Sequence, residues 1–290
     1  MALVVTLIAG PGAEAALPGC AAALGGEVDW LAPSACDIVA KGGAAKIELA
    51  ARAAVGERPI DVVIQPAAGR KKRLLVADFE STIIENEMLE ELADFLGMRT
   101  HVAEITRRAM NGEIDFLAAL NERVALLSGL PASVLHEAAA RIRLMPGAAA
   151  LIATLRRAGV YTALVSGGFT VFAEPVAARL GFDRVVANRL EIADGRLTGA
   201  LTPPIVAGAT KRDTLLSLAA ELGLDRAETM AVGDGANDLP MLQEAGFGVA
   251  FRAKPAVAAA SRWRIDHANL TALLYAQGYR EAEVLSFSSS

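Results

Sequence analysis

Four short clusters of polar residues and glycines contain the side chains that could do chemistry in this chain of 290 residues. They are Asp78-Phe-Glu-Ser-Thr82, Ser166-Gly-Gly168, Lys211 after Gly208-Ala-Thr, and Gly233-Asp-Gly-Ala-Asn-Asp238. Carboxylates suit Mg²⁺, while an ammonium, a hydroxyl and main-chain N–H groups suit the oxygens of a phosphoryl group. Together the clusters predict a cradle for a phosphoryl group beside a metal ion.

The residues of these clusters have separate candidate roles. Asp78 and Asp234 are hard oxygen ligands, and Lys211 is a compact positive charge. Asp78 could also act as a nucleophile and form a covalent aspartyl phosphate. Because Glu80 follows Asp78 by two residues, an extended backbone would point both side chains to the same side. Glu80 is then a candidate general acid and base.

Each cluster alone also has an ordinary structural explanation. An aspartate at the end of a strand is often a helix cap, and Ser-Gly-Gly is often a turn. A lone lysine such as Lys211 is usually a solvated helix residue. We favour the functional interpretation because four such clusters, each after a predicted strand, rarely arise together by chance.

The elements that must position these clusters alternate between strand and helix. Strands are predicted over residues 74–79, 161–166 and 229–233, and helices over 171–180 and 211–222. A β-hairpin is predicted to turn at Asp194-Gly195. This alternation predicts an α/β fold with an open parallel sheet, in which ligands bind beyond the carboxyl ends of the strands.

The pattern also predicts several units along the chain. Residues 1–69 are predicted to form a small α/β domain, for which regulation is a candidate role. Residues 86–145 are predicted to form an all-helical cap. The core comprises 70–85 and 146–283, and 284–290 form a tail. The basic run Arg70-Lys-Lys-Arg73 follows a linker, and we interpret it as a solvated joint rather than a nucleic-acid site.

The composition excludes several classes of protein. The net charge of −5 gives no reason to expect nucleic-acid or anionic-membrane binding. The longest apolar stretch, residues 144–155, is too short to cross a bilayer, and the first 40 residues lack the basic start of a signal peptide. Two cysteines do not make a disulfide framework. We expect a soluble, cytoplasmic protein, and its oligomeric state is not readable from the sequence.

The four motifs and the helical block resemble the haloacid dehalogenase superfamily, in particular its phosphoserine phosphatases, over residues 70–280 or so. The resemblance implies a Rossmann-like parallel-sheet core with a helical cap. It also implies Mg²⁺-dependent hydrolysis of L-phosphoserine through an aspartyl phosphate, the last step of serine biosynthesis. The expected partner is a small phosphorylated amino acid.

The same resemblance assigns roles to individual residues. It implies that Glu87 and Arg123 hold the substrate's ammonium and carboxylate, which agrees with the charges involved. By the same resemblance, the phosphate-binding residues are Ser166, Gly167 and Lys211. Mg²⁺ would lie on Asp78, Asp234 and the main-chain carbonyl of Glu80, with Asn237 binding substrate and supporting the metal site together with Asp238.

One residue departs from the family pattern, because Glu80 stands where the family has aspartate. The two carboxyls have similar intrinsic pKa values, about 4.3 and 3.9, but the extra methylene moves the carboxyl group. A misplacement of about 1 Å can cost on the order of 10²-fold in rate. Glu80 therefore predicts a slowed phosphatase, a reshaped site, or a related reaction. The last includes hydrolysis or transfer on another small phosphomonoester, and a protein that binds such a ligand without turnover also stays open.

Overall fold

The computed structural model describes residues 2–285, which form two separate β-sheets with flanking helices. The last five residues of the predicted tail, 286–290, lie outside the described residues. The first sheet uses these elements: β1 (Leu3–Ala9), α1 (Leu17–Leu24), β2 (Val28–Ala32), β3 (Ala35–Ala40), α2 (Ala44–Val55) and β4 (Ile60–Pro66). Its strand order is β2-β3-β1-β4, with every neighbouring pair antiparallel. Side chains from one face of this sheet and from both helices form their own apolar core.

The remaining elements build a larger α/β unit. They are β5 (Leu74–Ala77), α3 (Met88–Asp94), α4 (Arg99–Met110), α5 (Phe116–Ala125), α6 (Val134–Ala139), α7 (Ala148–Arg157), β6 (Tyr161–Phe169), α8 (Thr170–Leu180), β7 (Arg184–Ala193), β8 (Arg196–Thr202), α9 (Gly208–Glu221), β9 (Thr229–Gly233), α10 (Leu239–Glu244), β10 (Phe247–Phe251), α11 (Pro255–Ala260), β11 (Trp263–Ile265) and α12 (Ala272–Ala276). Seven strands make one sheet in the order β11-β10-β9-β5-β6-β7-β8. All neighbouring pairs are parallel except β7 and β8.

The centre of the large sheet aligns the ends of three strands. Leu74 of β5 pairs with Tyr161 of β6 on one side and with Thr229 of β9 on the other. All four residues of β5 are fully buried, because apolar clusters cover both faces of the sheet. The carboxyl ends of β5, β6 and β9 therefore meet at one edge. This arrangement confirms the predicted α/β fold with a mostly parallel sheet.

Helices α3–α6 lie between β5 and α7 and cover that edge. The two segments that connect the core to these helices lie next to each other. Ile84 and Leu144 form a β-bridge between them, and the Glu85 N–H donates to the carbonyl of Arg143. A second attachment joins the helical segment to the hairpin of β7 and β8, where Pro131 bridges to Arg196. This hairpin turns at Asp194-Gly195, as predicted.

The antiparallel sheet is joined to the core by hydrogen bonds from β4. The buried Asp61 carboxylate accepts from the main-chain N–H groups of residues 266–268, and the Trp263 indole N–H donates to the carbonyl of Ile64. Arg70 donates to Asp37 on one side and to the carbonyl of Ala276 on the other.

Two predictions made from the sequence are wrong. Arg70 is mostly buried and Lys72 is buried, with its ammonium donating to the carbonyls of Gly69 and Ala227, so half of the basic run is a structural joint rather than a solvated one. Lys211 does not open its helix, because α9 begins three residues earlier, at Gly208. Among the helices of residues 2–285, none has the length and apolar character that a bilayer crossing requires.

Candidate active site

Asp78 lies directly after β5, at the edge where the central strands end. Its N–H donates to the carbonyl of Val232, which continues the pairing with β9. Its Oδ1 accepts from the N–H of Phe79 at 2.8 Å and lies 2.7 Å from the ammonium of Lys211. These contacts hold one carboxylate oxygen, so the other is available for chemistry.

Lys211 projects from the first turn of α9 and is completely buried. Its ammonium lies between Asp78 Oδ1, at 2.7 Å, and Asp238 Oδ1, at 2.6 Å. Burial alone would lower the pKa of Lys211, but the negative charges of Asp238 and Asp78 outweigh it and raise that pKa above the ordinary value. The side chain therefore carries a permanent positive charge beside Asp78.

The loop after β9 is organised by Asp238. Its Oδ2 accepts from the N–H groups of Asp234 and Gly235, at 3.1 and 3.0 Å. Residue 233 has to be glycine, since a Cβ there would lie 2.4–2.8 Å from the Asp238 side chain. The same loop buries Asn237, whose Oδ1 has no hydrogen-bond partner.

Three carboxylates form a compact acidic cluster, with one oxygen each from Asp78, Asp234 and Asp238 within 4.8 Å of one another. Both oxygens of Asp238 are already engaged, by Lys211 and by the loop N–H groups, so it supports the cluster. Asp234 is different, because its buried Oδ2 has no hydrogen-bond partner among the described residues 2–285, and its ion pair with Lys254 spans 3.6 Å.

Burial and neighbouring negative charge raise the pKa of these groups. The pKa of Asp78 rises to about 7, because burial and then the charge of Asp238 outweigh the opposing effect of Lys211. Burial and the charge of Glu87 raise the pKa of Asp234 well above its ordinary value. Buried hard oxygens whose negative charge is only partly balanced by Lys211 and Lys254 fit a divalent cation, which Asp78 and Asp234 would ligate and Asp238 would support.

Ser166 and Gly167 lie within the last four residues of β6, which continues to Phe169, three residues beyond the predicted end of the strand. The buried Ser166 Oγ accepts from the N–H of Gly168 at 2.9 Å. The carbonyl of Gly167 accepts from the amide of Asn188, which also bonds to both main-chain groups of Val206. Asn188 was not singled out from the sequence, because β7 also contains Arg184, Arg189 and Glu191 and one more polar residue is no distinct signal.

The Glu80 side chain lies between the core and the cap. Its Oε1 accepts from the N–H of Met88 at 2.7 Å, at the start of α3. Burial, and next the charge of Glu87, raise the pKa of Glu80 to about 8, although the Met88 N–H opposes this shift. This shift favours the protonated form of the carboxyl.

The cap supplies one cation and one anion opposite this edge. Arg123 is buried, and its guanidinium donates to the carbonyl of Ala119 and to the hydroxyl of Thr106, at 2.9 and 2.8 Å. Glu87 accepts from the hydroxyl of Ser81 at 2.7 Å. Ser81 has a φ of 53°, a backbone conformation that non-glycine residues rarely adopt. Ser81, Thr106 and Lys254 were not predicted as site residues.

Core and cap residues together enclose a small cavity. Asp78, Gly167 and Asp234 line it from the core, and Met110, Phe116 and Arg123 line it from the cap. Glu80, Glu87 and Asn237 also line it, whereas Ser166, Lys211 and Asp238 lie behind these residues. Its volume of about 20 Å³ is roughly the room that a single water molecule needs. The structure is therefore a closed form, and a larger ligand requires movement of the cap.

Comparison with known proteins gives a consistent result. A family model described as haloacid dehalogenase-like hydrolase matches residues 75–243. The phosphoserine phosphatase SerB2 of Mycobacterium tuberculosis is 42% identical over 240 residues, which are 82% of this chain and 59% of that protein. This chain thus spans about three-fifths of that relative's length. A phosphoserine phosphatase of Lactococcus lactis subsp. lactis is 48% identical over 203 residues, 70% of this chain and 94% of that protein.

A solved structure shows the same architecture over nearly the whole chain. A HAD family hydrolase from Salmonella enterica subsp. enterica serovar Typhi superposes with a TM-score of 0.82 and 31% sequence identity. The match covers 94% of this chain and 97% of that one, so it includes the antiparallel sheet as well as the parallel core.

Proposed function

This chain belongs to the haloacid dehalogenase-like hydrolases, and on that premise we propose that it is a Mg²⁺-dependent phosphatase that hydrolyses L-phosphoserine. One observation carries the proposal: Asp78, with the Lys211 ammonium 2.7 Å behind it, lines the floor of a small site whose roof presents Arg123 and Glu87. The floor suits a phosphoryl group, and the roof suits the two charges of an amino acid. The relatives from Mycobacterium and Lactococcus are phosphoserine phosphatases, which supports this substrate.

Substrate binding follows from the charges of the site. Lys211, the hydroxyl of Ser166 and the N–H of Gly167 would hold the phosphoryl oxygens. Arg123 would pair with the substrate carboxylate, and Glu87 with its ammonium, each through charge-assisted hydrogen bonds. Asn237 lines the same cavity and has a free buried Oδ1 for the bound substrate.

The proposed reaction has two steps. The free carboxylate oxygen of Asp78 attacks phosphorus, an O–P bond forms, and the bond from phosphorus to the serine oxygen breaks as Glu80 gives that oxygen its proton. Glu80 then takes a proton from a water molecule, whose oxygen attacks the aspartyl phosphate and releases inorganic phosphate. The raised pKa of Glu80, about 8, supports its first role as an acid.

Asp78, Asp234 and the main-chain carbonyl of Glu80 would hold the metal ion, with Asp238 in support. Bound Mg²⁺ supplies positive charge against the phosphoryl oxygens. Lys211 supplies a further positive charge beside Asp78, 2.7 Å from its Oδ1, and the cap over the site excludes bulk water.

The proposal extends to the organisation of the chain. Residues 70–85 and 146–283 would be the catalytic core and 86–145 the cap, acting in the cytoplasm on a small phosphorylated amino acid. Residues 1–69 would be a separate domain, for which regulation is a candidate role. The hydrogen bonds of Asp61 and Arg70 to the core support a fixed placement of that domain.

The test is phosphate release from L-phosphoserine, measured with and without Mg²⁺ beside a panel of other small phosphomonoesters and alcohol acceptors. We expect Mg²⁺-dependent release that prefers L-phosphoserine and disappears in Asp78→Asn. A preference for another ester would show that L-phosphoserine is not the substrate. Transfer of the phosphoryl group to an added alcohol would show that the reaction is transfer rather than hydrolysis. Ligand binding without release from any substrate would refute catalysis by the folded protein.

A further inference from the structure

The Glu80 carboxylate makes a contact that joins the core to the cap. Its side chain starts in the loop after β5, and its Oε1 accepts from the N–H of Met88 at 2.7 Å. Met88 is the first residue of α3, so this N–H belongs to the amino end of the first cap helix. The contact therefore depends on the position of the cap.

Only the longer side chain can reach this N–H. Aspartate has one methylene fewer, which shortens the reach by about 1.5 Å, the length of one C–C bond. A carboxylate drawn back by that length would lie roughly 4 Å from the Met88 nitrogen, beyond hydrogen-bond distance. The glutamate at position 80 thus has a partner that the shorter residue could not share without movement of the backbone.

Gly168 forms the wall on the other side of the same carboxylate. A Cβ at this position would lie 2.9 Å from Oε2, 3.0 Å from Cδ and 3.1 Å from Oε1 of Glu80. Gly168 is within β6, and its N–H is bonded to Ser166 Oγ, so the strand holds the wall in place. A methyl group added here would displace the carboxylate and leave the strand unchanged.

We propose that Gly168 and the N–H of Met88 are positioning elements for Glu80, which make the longer carboxyl a fitted acid–base group rather than an impaired one. The inference rests on the proposed function and deepens it. Because Met88 belongs to the cap and Gly168 to the core, the two elements hold the Glu80 carboxylate between these two parts of the chain.

A double-mutant cycle tests the Gly168 wall. We expect Gly168→Ala to lower kcat on L-phosphoserine by about 10²-fold, the cost of a misplacement of about 1 Å. We expect KM to change by less than roughly threefold, since Arg123 and Glu87 are untouched. In the Glu80→Asp background the same change should lower kcat by less than about threefold, because the shorter carboxyl does not reach the added methyl group. Gly19→Ala is the control, since a Cβ at Gly19 meets no atom of residues 2–285 within 4 Å other than those of its chain neighbours and of its own helix backbone.

A second pair of variants tests the N–H. Met88→Pro removes the donor, and proline is tolerated at the first position of a helix. Met88→Ala is its control, because it also shortens the buried side chain but keeps the N–H. We expect kcat of Met88→Pro to fall roughly tenfold below that of Met88→Ala, with thermal unfolding midpoints that agree closely.

The possible outcomes distinguish failure of the positioning role from failure of the proposed function. Absence of phosphate release from the native chain would overturn the proposed function itself. Release by the native chain together with equal effects of Gly168→Ala in both backgrounds would overturn only the positioning role. A Glu80→Asp variant that turns over faster than the native chain would overturn it as well. If kcat falls only in variants whose thermal unfolding midpoint also falls, the variants act by destabilising the fold, and the positioning role is overturned.

Discussion

Arg123 offers a quantitative test of the proposed recognition of an amino acid by the site. Its guanidinium has five N–H hydrogens, and the structure commits one to Ala119 and one to Thr106. Three remain, which is enough for a two-pronged contact with a carboxylate. Hydrogen bonds to charged groups contribute about 1.5–3 kcal/mol each, so two of them amount to roughly 3–6 kcal/mol.

This magnitude predicts the effect of removing the guanidinium. We expect Arg123→Met to lower kcat/KM for L-phosphoserine by about 10²–10⁴-fold. The same variant should lower kcat/KM far less for O-phosphoethanolamine, which keeps the ammonium and the phosphoryl group but has no carboxylate. Arg123→Lys should recover only part of the loss, because an ammonium cannot form the planar contact.

Steady-state kinetics of both substrates with native protein, Arg123→Met and Arg108→Met provide the measurement. Arg108 is the control because it is an exposed cap arginine that faces Glu113. A loss by Arg123→Met that is equal for the two substrates would refute carboxylate recognition. It would assign Arg123 instead to balancing the charges of Glu80 and Glu87.

Three further predictions concern stability, each measured by denaturant unfolding. The pKa values of Asp78 and Glu80 are raised to about 7 and 8 in the folded protein, from about 3.9 and 4.3 in the unfolded chain. Because the folded state therefore binds these protons more tightly, the metal-free protein should lose stability as pH rises from about 4 to 8. A stability that does not change with pH over this range would contradict the prediction. Lys211→Met should cost about 3–5 kcal/mol by leaving two buried carboxylates uncompensated, whereas the exposed neighbour Arg212→Met should cost under about 1 kcal/mol. Asp61→Ala should cost roughly 1.5–3 kcal/mol by leaving the N–H groups of residues 266–268 without their acceptor, with exposed Asp29→Ala as the nearly neutral control.

The arrangement of the large sheet was predictable because its strands have a strong local signal. Strands such as β5 and β9 are short apolar runs that end in polar residues, and the structure places them within one or two residues of the prediction. The hairpin was predictable for a similar reason, since Asp194-Gly195 is a turn sequence. The convergence of Asp78, Lys211 and Asp234 then followed from the topology of a parallel sheet.

The C-terminal elements were not predicted, because their sequences have little periodicity. Strand β11 has three residues, and α11 and α12 have six and five. Such short elements are stabilised by long-range contacts, such as the Trp263 bond to Ile64, that no local pattern encodes. The buried state of Arg70 was missed for the same reason, since its partner Asp37 lies in another sheet.

The residues that support the site could not be predicted from the sequence either. Motifs identify the groups that contact a substrate, but Thr106 and Ser81 act by holding Arg123 and Glu87 in place. The consequence of Glu80 likewise depended on where Met88 and Gly168 lie. A methylene can be judged as harmful or fitting only when the surrounding atoms are known.

The order of strands in the large sheet has a consequence for how the chain folds during synthesis. Strand β5 is the central strand and the first of its sheet to be made, yet one of its neighbours is β9. The nearby contact of Lys72 with Ala227 spans 155 residues. At about 5–20 residues per second, a ribosome needs roughly 8–30 s to make that length. During that time a wholly apolar strand lacks one of its partners, so this interval is when the nascent chain is most exposed to aggregation and to chaperones.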